Sequence, residues 1–425
     1  MGGGGGRGLN DPGAIRPSTY AIFIWHGFFL ALTRASLDLN TVFPALIGTL
    51  VDSKTVFGLL YSIMLGVPFV FNIAFGHFLQ DKPRKKPYLL LAIYLRALAF
   101  LGMAAFTLRF GATAPLVVLL SLFGWIFLFS FSGGFAGLAY ADIVARLAPK
   151  GARGRLYASK QFASSAAMLL GSILVAGLLG LEALSYPANY ALILGLGGAG
   201  LFVAALAFWF IREEAREVPL ESKPSFGSFL KEVPRIVKGD RDFLRFILAA
   251  NLSSFSLMIL PFYMLFAVDS FGIGQEWVGR FLLFQTGGAI LSNLLWGYLS
   301  HRRGSRQVVR TCLLVGGVIP VVALLVGPQG PGAFLLVFVL VGFVMSGRSV
   351  GFEPYLLDLA PEDRRTVYVG INGTLNLSQV VLPALGGIFI DALGFRATFL
   401  MVAASMVVAF ALLGGPARPL PASSE

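Results

Sequence analysis

The sequence predicts an all-α polytopic membrane protein, with twelve transmembrane helices arranged as two six-helix bundles. Three observations carry this. The 425-residue chain is 56% hydrophobic and only 13% charged, against the roughly 25% charge of a soluble domain. Its mean hydropathy is +0.79, and at roughly 20 apolar residues per crossing it has room for about a dozen spans. Finally, two basic turns lie about half a chain apart, each closing one apolar run and opening the next. They are Gly76-His77-Phe78-Leu79-Gln80-Asp81-Lys82-Pro83-Arg84-Lys85-Lys86 and Gly297-Tyr298-Leu299-Ser300-His301-Arg302-Arg303-Gly304-Ser305-Arg306. Such spacing reads as an internal duplication.

The elements follow in order. Residues 1–18 are a Gly-rich polar tail without an apolar stretch, expected to be disordered and not a cleavable signal. Span 1 starts near Tyr20 and runs into the forties, with a break expected at Pro44. Spans 2 to 6 are expected at Val56–Leu79, Tyr88–Leu108, Leu116–Tyr140, Tyr157–Leu179 and Tyr190–Ile211. Residues 212–242 are rich in Arg, Lys and Glu and form the joint between halves, with Phe226–Val237 a candidate amphipathic surface helix. Spans 7 to 12 are expected at Phe243–Val268, Val278–Leu299, Val308–Val326, Phe334–Leu357, Val367–Ile390 and Thr398–Leu413. The predicted organisation is therefore a tail (1–18), a first bundle (19–211), a linker (212–242), a second bundle (243–415) and a tail (416–425).

Charge placement sets the expected orientation. Lys82, Arg84, Lys85, Lys86, Arg146, Lys150, Arg153, Arg155, Arg302, Arg303, Arg306, Arg310, Arg364 and Arg365 all fall after even-numbered spans. The opposite loops hold little beyond Lys54, Arg109 and Arg396. The positive-inside rule then puts both termini and the linker in the cytoplasm, with the protein in the plasma (inner) membrane. The same placement accounts for the net charge of +12 without nucleic acid. The duplication also extends to the later loops. Leu147-Ala148-Pro149 is followed by Arg153 and Tyr157, and Leu359-Ala360-Pro361 by Arg364 and Tyr368.

Several classes are excluded or disfavoured. Cys312 is the only cysteine, so no intrachain disulfide forms. His26, His77 and His301 have no metal-ligand spacing, and no metal or cofactor is expected. No phosphate-binding loop for ATP hydrolysis is present. No convergent nucleophile and base appear, so the chain is not expected to be an enzyme.

On these residues the chain resembles the major facilitator superfamily over about 19–415, without assignment to a subfamily. The resemblance rests on the span count, the central linker and the family's loop signature, close to Gly-x-Leu-Ala-Asp-Arg-x-Gly-Arg-Arg. The second turn matches it at Gly297, Leu299, Arg302, Gly304 and Arg306, and departs at His301. The first turn keeps Gly76 and basic residues including Arg84, while Asp81 falls one position late. The resemblance implies that these loops act in the conformational change. Gly76 and Gly297 are expected to let neighbouring helices approach closely. Signatures of drug–proton antiporters are absent from spans 4 and 5.

Ionisable and amide groups within spans are the candidate site residues. Span 1 carries His26, Arg34 and Asp38, the last two four apart and able to pair along a helix. Arg96 in span 3 is read as structural. In span 10, Arg348 and Glu353 point to different sides of the helix. Arg348 is therefore expected to meet either an anionic or hydrogen-bond-accepting substrate group or a carboxylate, such as Asp142 or, if the span bends, Glu353. Asn372, Asn376 and Gln379 form one polar stripe along span 11 and are expected to line a cavity. Gln161, Asn251 and Gln285 are further cavity candidates, with interhelical hydrogen bonding as their alternative role.

The expected function is secondary active transport of a small solute by alternating access about a midplane site. A proton or sodium ion is the candidate coupling ion, the lipid bilayer is the other partner, and a monomer is expected. Drug or metabolite efflux by proton antiport is the first alternative. A membrane-embedded sensor or enzyme is the alternative of another class.

Overall fold

The computed structural model describes residues 15–80, 82–215, 226–361, 364–376 and 378–414. The expectations for most of the N-terminal tail, for the tail at 416–425 and for Asp81 lie outside the described residues. Among the described residues every regular element is a helix. In order they are α1 (Pro17–Ser36), α2 (Val42–Gly48), α3 (Lys54–Gln80), α4 (Lys86–Phe110), α5 (Pro115–Leu147), α6 (Lys150–Leu179) and α7 (Ala188–Leu206). There follow α8 (Phe226–Gly239), α9 (Arg241–Ile259), α10 (Phe262–Phe271), α11 (Gln275–Val326), α12 (Pro331–Leu359), α13 (Arg365–Leu375) and α14 (Ser378–Leu412). Nine segments among the described residues are long and apolar enough to cross a membrane.

The reason for helices throughout is physical. Hydrocarbon offers no hydrogen bonds, so each crossing segment must satisfy its backbone internally. Helix starts carry the expected chemistry, with proline in the first turn of α1, α4, α5 and α12, where its missing N–H is no loss. Asp240 caps α9, its side chain accepting from the backbone N–H groups of Asp242 at 3.1 Å and Phe243 at 3.0 Å. Sharp bends fall at glycine. Gly304 inside α11 has φ 76° and Gly394 inside α14 has φ 79°, values that side-chain-bearing residues rarely adopt. Each of these long helices is thus two helices meeting at a glycine.

Two breaks differ from expectation. The first helix ends at Ser36, with Leu37 at φ −138°, and not at Pro44. Pro44 instead lies in the first turn of α2, where the backbone can spare an N–H. The expected single span 11 is divided into α13 and α14, with Asn376 leaving the helix at φ −89°, ψ 28°. Asparagine side chains compete for local hydrogen bonds and disfavour helix interiors. The linker helix expected at Phe226–Val237 is present as α8.

The chain packs as two compact units, Met1–Asp38 with Ile63–Pro219, and Leu39–Ser62 with Leu220–Glu425. In unit one, α1 packs on α6 and α7, and α4 packs on α5 and α7. Phe23, Ile93, Ile143 and Phe208 belong to its buried core. In unit two, α9 packs on α14, and α11 packs on α12 and α14. Residues 39–62 belong to this unit. Asp391 of α14 caps the start of α3, accepting from the backbone N–H groups of Lys54 at 3.2 Å and Thr55 at 2.9 Å and from the Thr55 hydroxyl at 2.7 Å. Lys54 Nζ pairs with Asp269 at 2.8 Å.

Close helix approach occurs elsewhere than expected. A Cβ added at Gly76 or Gly297 would meet nothing within 4 Å, so neither glycine serves a tight crossing in this structure. One tight crossing is between α11 and α12. There a Cβ on Gly342 would lie 2.6 Å from the Ala289 backbone nitrogen and would collide with the Gln285 carbonyl. Backbone cannot move aside as a flexible side chain can. We therefore expect Gly342→Val to destabilise the purified protein by at least about 1–3 kcal/mol, the cost of overpacking. Gly297→Leu should leave the thermal midpoint close to that of the parent. Equal midpoints for the two variants would contradict this packing.

Candidate functional site

Unit one contains a half-open cavity of about 400 Å³. On α1 it is lined by His26, Leu30 and Arg34, which recur every four residues and so share one helix face. From α4 comes Arg96, from α6 Lys160, and from α5 Ser130 and Tyr140. Three glycines of α5, Gly133, Gly134 and Gly137, leave room along the wall. No Asp or Glu is among the lining residues.

Two of the basic groups, Arg96 and Lys160, are held by rings and not by carboxylates. The Arg96 guanidinium lies 4.4 Å from the Phe129 ring centroid. It passes over Gly133, where a Cβ would come within 3.4 Å of its Nε. That Nε is buried and has no hydrogen-bond partner. Lys160 Nζ donates to the Tyr140 hydroxyl at 2.7 Å and lies 4.3 Å from the same ring's centroid. Its stem packs over Gly27, whose carbonyl accepts from Ser164 at 3.0 Å. His26 is 6% exposed and sits against Phe208 and Tyr140, with centroids 4.8 and 5.5 Å away. Its Nδ1 is buried with no partner. Arg34 is exposed and borders the cavity. It takes part in none of the ion pairs among the described residues. A ring face attracts a cation through its quadrupole but does not neutralise it. The cavity therefore keeps a concentrated positive charge.

The expected Arg34–Asp38 pair along one helix does not form. The helix ends at Ser36, so Asp38 leaves the face that Arg34 occupies. Arg96, read from sequence as structural, faces the cavity. Gln161 is exposed and is not among the lining residues.

The remaining candidates lie in unit two. The Arg348 guanidinium donates to the Ser253 hydroxyl at 2.9 Å and lies 4.3 Å from the Phe352 centroid. Of the two expected partners, an anionic substrate group or a carboxylate, the carboxylates named are placed elsewhere: Glu353 is exposed and Asp142 pairs with Arg146 at 2.7 Å in unit one. Asn251 donates to the Ile247 carbonyl at 2.9 Å and accepts from Ser378 at 2.7 Å. Asn376 donates to the Asn372 side chain at 2.7 Å. The expected continuous stripe is interrupted at Asn376, and Gln379 follows the break. Gln285 is buried. Among the described residues no group of three or more His, Cys, Asp or Glu comes together to hold a metal ion.

The loop turns have different supports. In the first, Arg84 is exposed. The anchoring carboxylate is Glu213, from the segment after α7, with 2% of its side chain exposed. It accepts from the backbone N–H groups of Lys85 at 2.8 Å and Lys86 at 2.7 Å, and faces Arg146 at 3.6 Å. A carboxylate there caps the start of α4 and complements its dipole. In the second, Gly304 forms the bend, Ser305 donates to Asp358, and Arg306 donates to the Leu413 carbonyl at 3.0 Å. Arg302 is exposed and lies 5.8 Å from the Tyr298 centroid.

Apolar helices around a solute-sized cavity with a few convergent polar groups fit a membrane transporter. The comparisons agree. The Major Facilitator Superfamily profile matches residues 24–375 and 280–425. The chain belongs to the major facilitator superfamily, a family of membrane transporters. Multidrug resistance protein 2 of Bacillus subtilis (strain 168) is 23% identical over 222 residues, 49% of this chain and 53% of that protein. The match thus spans about half of that relative. Three solved structures share the fold at low identity. The nucleoside transporter NupG has a TM-score of 0.68 at 15% identity, covering 93% of this chain and 98% of its own. A POT family transporter in complex with 5-aminolevulinic acid gives 0.71 at 14%, covering 94% and 96%. A bacterial homologue of the iron transporter ferroportin gives 0.69 at 15%, covering 93% and 97%.

The turn geometry yields an expected outcome. Glu213→Ala removes a cap and leaves Arg146 with one carboxylate fewer. It should destabilise the protein by about 0.5–2 kcal/mol from the cap alone. Arg84→Ala, at an exposed position, should stay within roughly 0.5 kcal/mol of the parent. Thermal denaturation in detergent checks both, and a larger loss for Arg84→Ala would contradict the assignment.

Proposed function

We propose that the protein moves a small solute across the plasma membrane by alternating access, as a monomer of twelve spans in two six-helix bundles. The observation that carries this is the family match along nearly the whole chain. The span count is supported by the bends. Dividing the nine apolar segments at Gly304 and Gly394 gives eleven, and α1 supplies another. The basic loops support an orientation with both termini and the linker in the cytoplasm. Driving force comes from an ion gradient, with a proton or sodium ion as the candidate, and no catalytic step is involved.

Multidrug efflux by proton antiport is the second reading, favoured by the relative named for multidrug resistance. Against it stands the charge of the cavity, since lipophilic cations are repelled by a basic wall without a carboxylate.

Reconstituted proteoliposomes test the proposal. Uptake of at least one solute should saturate with concentration and respond to an imposed proton or sodium gradient. Reporters inserted at Lys85 and Arg303 should read cytoplasmic, and those at Gly111 and Gln329 external. Reversal at any of these sites would overturn the orientation, and solute-independent leak would overturn transport.

A further inference from the structure

We propose that the cavity in unit one binds the anionic group of an organic solute, a carboxylate, sulfonate or phosphate monoester. This deepens the transporter reading and rests on it for the solute's being cargo.

Three features of the cavity converge on this chemistry. Arg34, Arg96 and Lys160 reach the same space from three different helices, and no acidic residue lines it. A cluster of like charges in an apolar bundle is costly unless a counter-charge arrives. The donors are also incompletely used. Among the described residues, Arg96 Nε has no partner, Arg34 enters no ion pair, and Lys160 Nζ meets the hydroxyl and ring of Tyr140. Ionised oxygens accept hydrogen bonds and donate none, so they complete such a set without leaving a new unsatisfied group. His26 lines the same wall.

The rest of the lining limits the solute's body. Leu30, Met64, Pro68, Ile93, Phe129 and Leu201 form apolar wall, and the volume of about 400 Å³ falls in the range of small-molecule sites, roughly 300–1,000 Å³. The fitting ligand has one charged head and a compact, partly apolar body. An anionic lipid headgroup shares the head chemistry, so the test must separate it from a free solute.

The experiment is a thermal-shift titration of the full-length protein in dodecyl maltoside. The probes are matched sets sharing one carbon skeleton, beginning with phenylacetate, phenylacetamide and 2-phenylethylammonium. Hexanoate with its amide and amine follow, then benzyl phosphate and benzylsulfonate with benzyl alcohol. Anionic members should stabilise the protein, and their neutral and cationic counterparts should not. Arg34→Gln removes a side chain that enters no ion pair, so its fold should persist. It should weaken the anion roughly ten- to hundredfold, the equivalent of one charge-assisted contact. Lys160→Met should act in the same direction, and Arg96→Lys should retain part of the affinity.

Equal stabilisation by the neutral members, undiminished binding in both Arg34→Gln and Lys160→Met, or no stabilisation by any anion would overturn the proposal. So would protection by added phosphatidylglycerol that no soluble anion displaces. Flux separates this proposal from the transporter reading. An anion that binds but is never moved into proteoliposomes removes the transport reading and leaves the site. A neutral solute that is moved while no anion binds does the reverse.

Discussion

Hydrocarbon supplies no hydrogen-bond partners, and this constraint governs the whole structure. It makes every crossing segment a helix and puts the burden on ends and breaks. Here each break has an identifiable chemical device. Glycine at φ near 80° turns the chain at 304 and 394. Asparagines 372 and 376 bond to each other where α13 gives way to α14. Three carboxylates cap helix starts. Asp240 acts locally, while Glu213 and Asp391 reach α4 and α3 from distant parts of the sequence. The remote caps also serve as ties, because each holds two chain segments at one helix end.

The distribution of charge follows the same logic. Asp240, Glu213 and Asp391 sit at helix starts, where backbone N–H groups satisfy them. Three basic groups in helix interiors lie on aromatic faces instead. Arg96 lies on Phe129, Lys160 on Tyr140, and Arg348 on Phe352. This arrangement tolerates a cation among apolar helices without cancelling it. A carboxylate in the same place would have closed the site with a fixed ion pair. The choice of rings over acids keeps the cavity of unit one receptive to a negative charge from outside the protein.

Much of the fold was legible in the sequence. Apolar runs separated by basic turns gave the helical class, and the family resemblance agreed with the profile match. Gly304 was singled out as part of a loop motif, although its left-handed backbone could not be read from its neighbours. The cavity was half legible. His26 and Arg34 stood out as polar residues in an apolar span. Lys160 and Tyr140 did not, because apolar windows underestimate helix length. The fifth span was expected from Tyr157, but α6 begins at Lys150, which puts Lys160 about 15 Å along the helix. Similarly, α5 continues to Leu147, two turns beyond Tyr140. The pairing of Arg34 with Asp38 failed because helical spacing was extended past the end of the helix. Glu213 was invisible as an anchor, since nothing local in a charged linker marks which carboxylate folds back onto a distant helix start.

Whether the basic cavity of unit one holds an anion is tested most directly by diffraction from crystals soaked in 4-bromophenylacetate, recorded at the bromine edge. An anomalous peak is expected inside the cavity, with the carboxylate in hydrogen-bonding range of Arg34 and Lys160 and the ring against the apolar wall. A cavity that stays free of bromine, while 4-bromophenylacetamide occupies it under the same conditions, would contradict anion binding there.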